Sequence, residues 1–115
     1  MKITIKATGL YLTPAFKEYV ENKLKPLHKF FTRVKKNGDP VVLKLEVART
    51  TKHHQKGEVY YAEATLDMPG AVLRAEAPSD DVRLAVNEMK KKLTAEIKKH
   101  QTKHKDKKRE TLRHE

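Results

Sequence analysis

Residues 59–77 read VYYAEATLDMPGAVLRAEA, and the reading of this stretch decides the fold. Val59 to Leu66 and Val72 to Ala77 alternate in character at a period of two, the period at which a strand turns successive side chains to opposite faces. Met68-Pro69-Gly70 lies between them and supplies turn chemistry, so the stretch is expected to fold as an antiparallel hairpin. Tyr60, Ala62, Ala64 and Leu66 share one face of the first strand, and Leu73, Ala75 and Ala77 share one face of the second. A face made largely of alanine lets a helix approach closely, so one side of the sheet is expected to be covered.

Downstream, Ser79 precedes Asp80 and Asp81, which predicts a helix capped by the serine with two carboxylates at the positive end of its dipole. Val82, Ala85, Val86, Met89, Leu93 and Ile97 then recur at helical spacing and form an apolar stripe. Lys91 and Lys98 lie seven residues apart on nearly the opposite face, flanked by Lys90, Lys92 and Lys99. Beyond Lys103 the apolar period ends. The expected organisation is one domain over residues 1–103 and a basic, frayed or flexible tail over 104–115.

Upstream, Val41 to Ala48 reads as a strand with Leu43, Leu45 and Val47 on one face, and a polar connection over 49–57 joins it to the hairpin. Thr13-Pro14 gives an N-cap followed by proline at the first helical position, and Phe16, Val20, Leu24, Leu27 and Phe31 form the buried stripe of the helix that follows. Pro26 removes a backbone donor inside that stripe, so a kink or a short second helical piece is expected there. Asn37-Gly38-Asp39-Pro40 is a turn cluster, and residues 2–8 alternate as a strand with Ile3 and Ile5 on one side. The order is β-α-β-β-β-α, an α+β fold with two helices on one face of a four-stranded sheet.

The chain has a formal charge of +11 and attracts polyanions before any specific contact forms. The charge is not evenly spread. Residues 1–40 carry nine Lys/Arg against three Asp/Glu, residues 41–86 six against seven, and residues 87–115 eleven against five. Two basic segments around a neutral middle point to a binding surface, whereas solubility alone would spread the lysines along the chain. No apolar stretch approaches the roughly 18 residues of a membrane span, and the N-terminus has no apolar signal core, so a cytoplasmic protein is expected.

Catalytic signatures are missing. There is no cysteine, and the single serine, Ser79, is accounted for as a helix cap. The four glycines are dispersed, so no phosphate-cradling loop is present. His53-His54 and the pair His100 and His104 lie among lysines that oppose a dication, so no metal and no cofactor is expected. The chain reads as a binding protein and not an enzyme.

The ordered motifs carry a resemblance. Leu12-Thr13-Pro14-Ala15, Tyr19-Val20-Glu21-Asn22-Lys23-Leu24 and Lys29-Phe30-Phe31 in the first helical region are similar to the helix of the ribosome hibernation promoting factor and ribosome-associated inhibitor A family, also called the sigma-54 modulation family. Asp81-Val82-Arg83-Leu84-Ala85-Val86-Asn87, Lys92-Leu93 and the segment from Thr102 to Lys107 resemble its last helix. The sequence departs from the family pattern at Pro26, Arg83 and Ala95, where lysine, an aromatic and arginine are common. The resemblance implies a fold akin to the double-stranded RNA-binding domain. It also implies docking on 16S rRNA of the small ribosomal subunit, in the groove for mRNA and tRNA, with reversible block of translation as in a stress response. Lys23, Lys29, Lys92, Lys98, Lys99 and Lys103 match the family's basic positions, and the helical face adds Lys90 and Lys91. Long members carry a further dimerisation domain, so a monomer off the ribosome is the expectation here. The competing reading is a general double-stranded RNA or nucleic-acid module with no ribosome preference.

Overall fold

The computed structural model describes residues 1–32, 35–36, 38–50 and 59–113, with side chains described through Thr102 except at 35–36. The elements in chain order are β1 (Lys2–Thr8), α1 (Pro14–Leu24), a 3-10 helix (Lys25–Phe30), β2 (Lys35–Lys36), β3 (Asp39–Pro40), β4 (Val42–Arg49), β5 (Tyr60–Met68), β6 (Ala71–Ser79) and α2 (Val82–Arg113). The main sheet has the order β1-β4-β5-β6, with β1 parallel to β4 and the remaining neighbours antiparallel. The parallel pair requires a crossover, and α1 with the 3-10 helix provides it.

The hairpin is tighter than the sequence suggests. Met68 pairs with Ala71, so the turn is Pro69-Gly70 alone, and Gly70 takes φ +80°, as the second central residue of a type II turn does after proline. β6 runs on to Ser79 opposite Tyr60, with Pro78 tolerated because this is an edge strand. Within the expected turn cluster Asn37 lies outside the described residues, and Asp39–Pro40 pairs with Lys35–Lys36 as a second small hairpin.

Both helix starts are set by side-chain oxygens. Thr13 caps α1, its Oγ1 accepting from the Phe16 N–H at 3.1 Å. Pro26 ends the α-helical hydrogen bonding, and the chain continues as the 3-10 turn through Phe30. The cap of α2 corrects the sequence reading. Ser79 is still in β6, and the cap is Asp81, whose Oδ1 accepts from Arg83 N–H at 2.8 Å and Leu84 N–H at 3.2 Å. A carboxylate there also opposes the helix dipole, which a serine hydroxyl does not.

One core lies between the sheet and the helices. Phe16, Val20, Leu24, Leu27 and Phe31 come from the α1 side, and Ala85, Val86, Met89, Leu93 and Ile97 from α2. Under α2, which packs on β5 and β6, the sheet shows the buried alanines Ala62, Ala64, Ala75 and Ala77. The helical backbone of α2 continues to Arg113, past the expected boundary at residue 103.

Candidate nucleic-acid interface

Tyr19 on α1 sets the register of the two helices. Its hydroxyl donates to Asn87 Oδ1 at 3.3 Å, and the Arg83 guanidinium lies 4.6 Å from its ring centroid. Further along, Gln101 Nε2 reaches the Phe30 carbonyl at 3.5 Å. These contacts advance in the same sense along both segments, so the two helical layers run parallel.

Side chains three or four residues apart share a helix face, so the Tyr19–Asn87 contact brings Lys23 and Lys90 toward each other on the next turn. They line an open groove of about 490 Å³ together with Leu84, Asn87, Lys91 and Thr94. Burial lowers the Lys90 pKa below its ordinary value of 10.5, and the charges of Lys23 and Lys29 lower it further. The fold thus holds at least three ammonium groups close enough to repel. A phosphate placed in the groove would relieve that repulsion.

Lysines on the rest of α2 fall into two strips. Lys91 is exposed and 3.4 Å from Glu88 Oε1, and at about 100° per residue Lys98 lies within roughly 20° of it around the helix. Lys98 and Lys99 are exposed. Lys92 turns to the opposite flank, where its Nζ donates to the Glu76 carbonyl of β6 at 3.0 Å. The structure therefore gathers Lys23, Lys29, Lys90 and Lys91, sets Lys98 next in line, and places Lys92 at the edge of the sheet. The Lys103 side chain lies outside the described residues, as do His53, His54 and the His104 side chain. Among the described residues no group of three His, Cys, Asp or Glu side chains is placed to hold a metal.

The other side of the molecule is different in character. Lys6, Glu46, Glu63 and Glu76 fall on one cross-strand rung of the bare sheet face. Lys6 Nζ is 3.6 Å from Glu46, and the Tyr61 hydroxyl donates to Glu63 at 3.2 Å and to Glu76. Burial, with the two carboxylates, pushes the Tyr61 phenol above its usual range, so it stays a donor. Three glutamates on one rung disfavour a phosphate backbone at that rung.

The sigma 54 modulation protein / S30EA ribosomal protein family model matches residues 3–105. The chain belongs to that family. The match spans β1 to α2, so every lysine singled out above lies within the S30EA segment. Two relatives are each named ribosome hibernation promoting factor. One, from Acinetobacter guillouiae, is 32% identical over 101 residues, which cover 87% of each chain. The other, from Escherichia coli strain K12, is 31% identical over 107 residues, covering 93% of this chain and 96% of the relative. The crystal structure of the Thermus thermophilus Protein Y N-terminal domain superposes with a TM-score of 0.67 at 24% identity, over 87% of this chain and 99% of that one. That likeness is one of fold. Among the described residues no helix of this S30EA protein is long and apolar enough to cross a membrane.

Sequence reasoning found the lysines but not their neighbours in the groove. Leu84, Asn87 and Thr94 carry no signal of their own, because their place depends on a contact between residues 68 apart in the chain. Arg83, a departure from the S30EA pattern, has a place as the cation over Tyr19.

The lowered pKa of Lys90 yields a prediction with opposite signs for stability and binding. A lysine whose folded pKa lies below its unfolded value opposes folding while it is charged, so that penalty fades as pH rises through the lowered pKa. Lys90→Met is expected to raise the melting temperature at pH 7 and to weaken RNA binding. In the parent protein, affinity is expected to fall as pH rises, beginning below 10.5. Thermal melts and binding isotherms at pH 7 and above check both. A variant that loses stability while keeping its affinity contradicts this role for Lys90.

Proposed function

We propose that this S30EA protein is a ribosome hibernation factor that docks its α1–α2 face on 16S rRNA of the small subunit and blocks tRNA. The carrying observation is that Lys23, Lys90 and Lys91, from two helical layers, line one groove, with the charge of Lys29 close enough to act on Lys90. Two helical layers locked by Tyr19, Asn87 and Arg83 present those charges in fixed register, so little ordering entropy is lost when they meet phosphates. The relatives' names point to the ribosome as the polyanion, and the mRNA and tRNA groove is the site the family resemblance implies. The reading is of a cytoplasmic binding protein with no catalytic group, no cofactor and a monomeric free state, acting by steric exclusion.

The test is a filter-binding titration of labelled tRNA on programmed small subunits with increasing protein. Occupancy is expected to fall as the protein saturates the subunit, and translation in a cell-free system to fall with it. Unchanged tRNA occupancy at saturation defeats the blocking mechanism. Excess unrelated duplex RNA added to the same titration separates ribosome preference from general duplex binding, since it abolishes the effect only for a general binder.

A further inference from the structure

The connection from β1 to α1 carries the most exposed large apolar side chain among the described residues, Tyr11, with 81% of its surface open. Its neighbours are anchored. Leu10 and Leu12 on either side pack against the core, and Thr13 is fixed by its cap on α1. Gly9, at φ +73°, lies so close to the end of β4 that a Cβ there would stand 2.7 Å from the Arg49 carbonyl oxygen. Only glycine allows that approach. The segment is thus held at Gly9, Leu10, Leu12 and Thr13, and the ring between them is turned to water.

An amphipathic ring held outward on a fixed segment contributes little to the core and loses little entropy when something stacks on it. Arg49 is an exposed residue whose β-carbon would lie 3.7 Å from a Cβ on Gly9, two residues before Tyr11, so its side chain leaves the fold at the base of the segment that presents the ring. Aromatic plus guanidinium is the pairing that takes a nucleotide, the ring stacking on the base and the cation meeting the phosphate. A chain of net charge +11 favours that partner over an apolar pocket on another protein.

We infer that Tyr11 and Arg49 form a stacking platform for an unpaired nucleobase, separate from the lysine groove between the helices. The inference rests on the RNA-binding reading above, and it assigns a non-ionic contact where the groove supplies only ionic ones. Stacking releases no counterions, so the two kinds of contact respond differently to salt.

The chain contains no tryptophan, so Tyr11→Trp carries a single reporter. Its fluorescence is expected to be quenched by a single-stranded purine-rich oligoribonucleotide. Tyr11→Ala is expected to weaken binding to the small subunit about 5- to 150-fold at every salt concentration, the range that loss of one stacked base implies. Its log-log salt slope stays that of the parent, and Tyr11→Phe binds within about twofold of the parent, since the ring and not the hydroxyl makes the contact. Tyr11→Ala binding like the parent, or altering the salt slope, overturns the platform. Quenching by the subunit but not by the oligonucleotide also overturns it, assigning Tyr11 to a protein pocket. Should the parent fail to bind the subunit, the proposed function falls, and the oligonucleotide titration still decides the platform.

Discussion

Reversal of Lys23, Lys90 and Lys91 to glutamate is expected to weaken small-subunit binding by at least about a hundredfold near 0.1 M salt and to flatten its salt dependence. Each lost phosphate contact removes roughly 0.7 to 0.9 from the log-log slope, so three contacts remove about two to three. Reversal goes further than neutralisation because the new carboxylates repel the phosphates. The fold is expected to survive, since none of the three belongs to the buried core. Binding isotherms over a series of potassium chloride concentrations give both numbers, with circular dichroism to confirm folding. Reversal of Lys6 and Lys44 on the sheet face is the matched control and is expected to change the slope little. A folded groove variant that keeps the parent slope removes the groove from the interface.

The largest loss of stability is expected from Leu93→Ala. Leu93 is fully buried on α2, and the sheet beneath that helix is floored by Ala62, Ala64, Ala75 and Ala77. Truncating a buried leucine costs about 2 to 5 kcal/mol, more when the surroundings cannot close the cavity. Alanine has no rotamers with which to close it, so the value is expected in the upper half of that range. Total stabilities of small domains are about 5 to 15 kcal/mol, so the variant stands close to unfolding. Urea denaturation measures it, and a loss under about 1 kcal/mol would mean that α2 is not seated through Leu93.

How much was legible follows from which signals are local. The alternation in 59–77, the stripe from Phe16 to Phe31 and the break at Pro26 are each carried by neighbouring residues, and the corresponding elements stand in the structure. The cap of α2 is ambiguous in the sequence because serine and aspartate both cap helices. The choice between them turns on where β6 stops, which the pairing of Ser79 with Tyr60 decides. The parallel partner of β1 also depends on a pairing absent from any single segment. In the candidate interface the lysines were visible as a charged face. Which of them converge was not, because Tyr19, Arg83 and Asn87 set the register across the fold.

The contact between Lys92 and the Glu76 carbonyl has a consequence for how molecules of this protein meet one another. β6 is an open edge of the sheet, and an open edge is a template on which another molecule's strand can add. Residues two apart in a strand aim their backbone groups to the same side, so Glu76 and Pro78 present successive rungs of that edge. The Lys92 ammonium already occupies the Glu76 acceptor, and Pro78 has no N–H to offer. An incoming strand would have to displace a charged donor at one rung and leave its own carbonyl unanswered at the next. A lysine of the basic helix thereby guards one rung of the β6 edge against the strand of a second molecule.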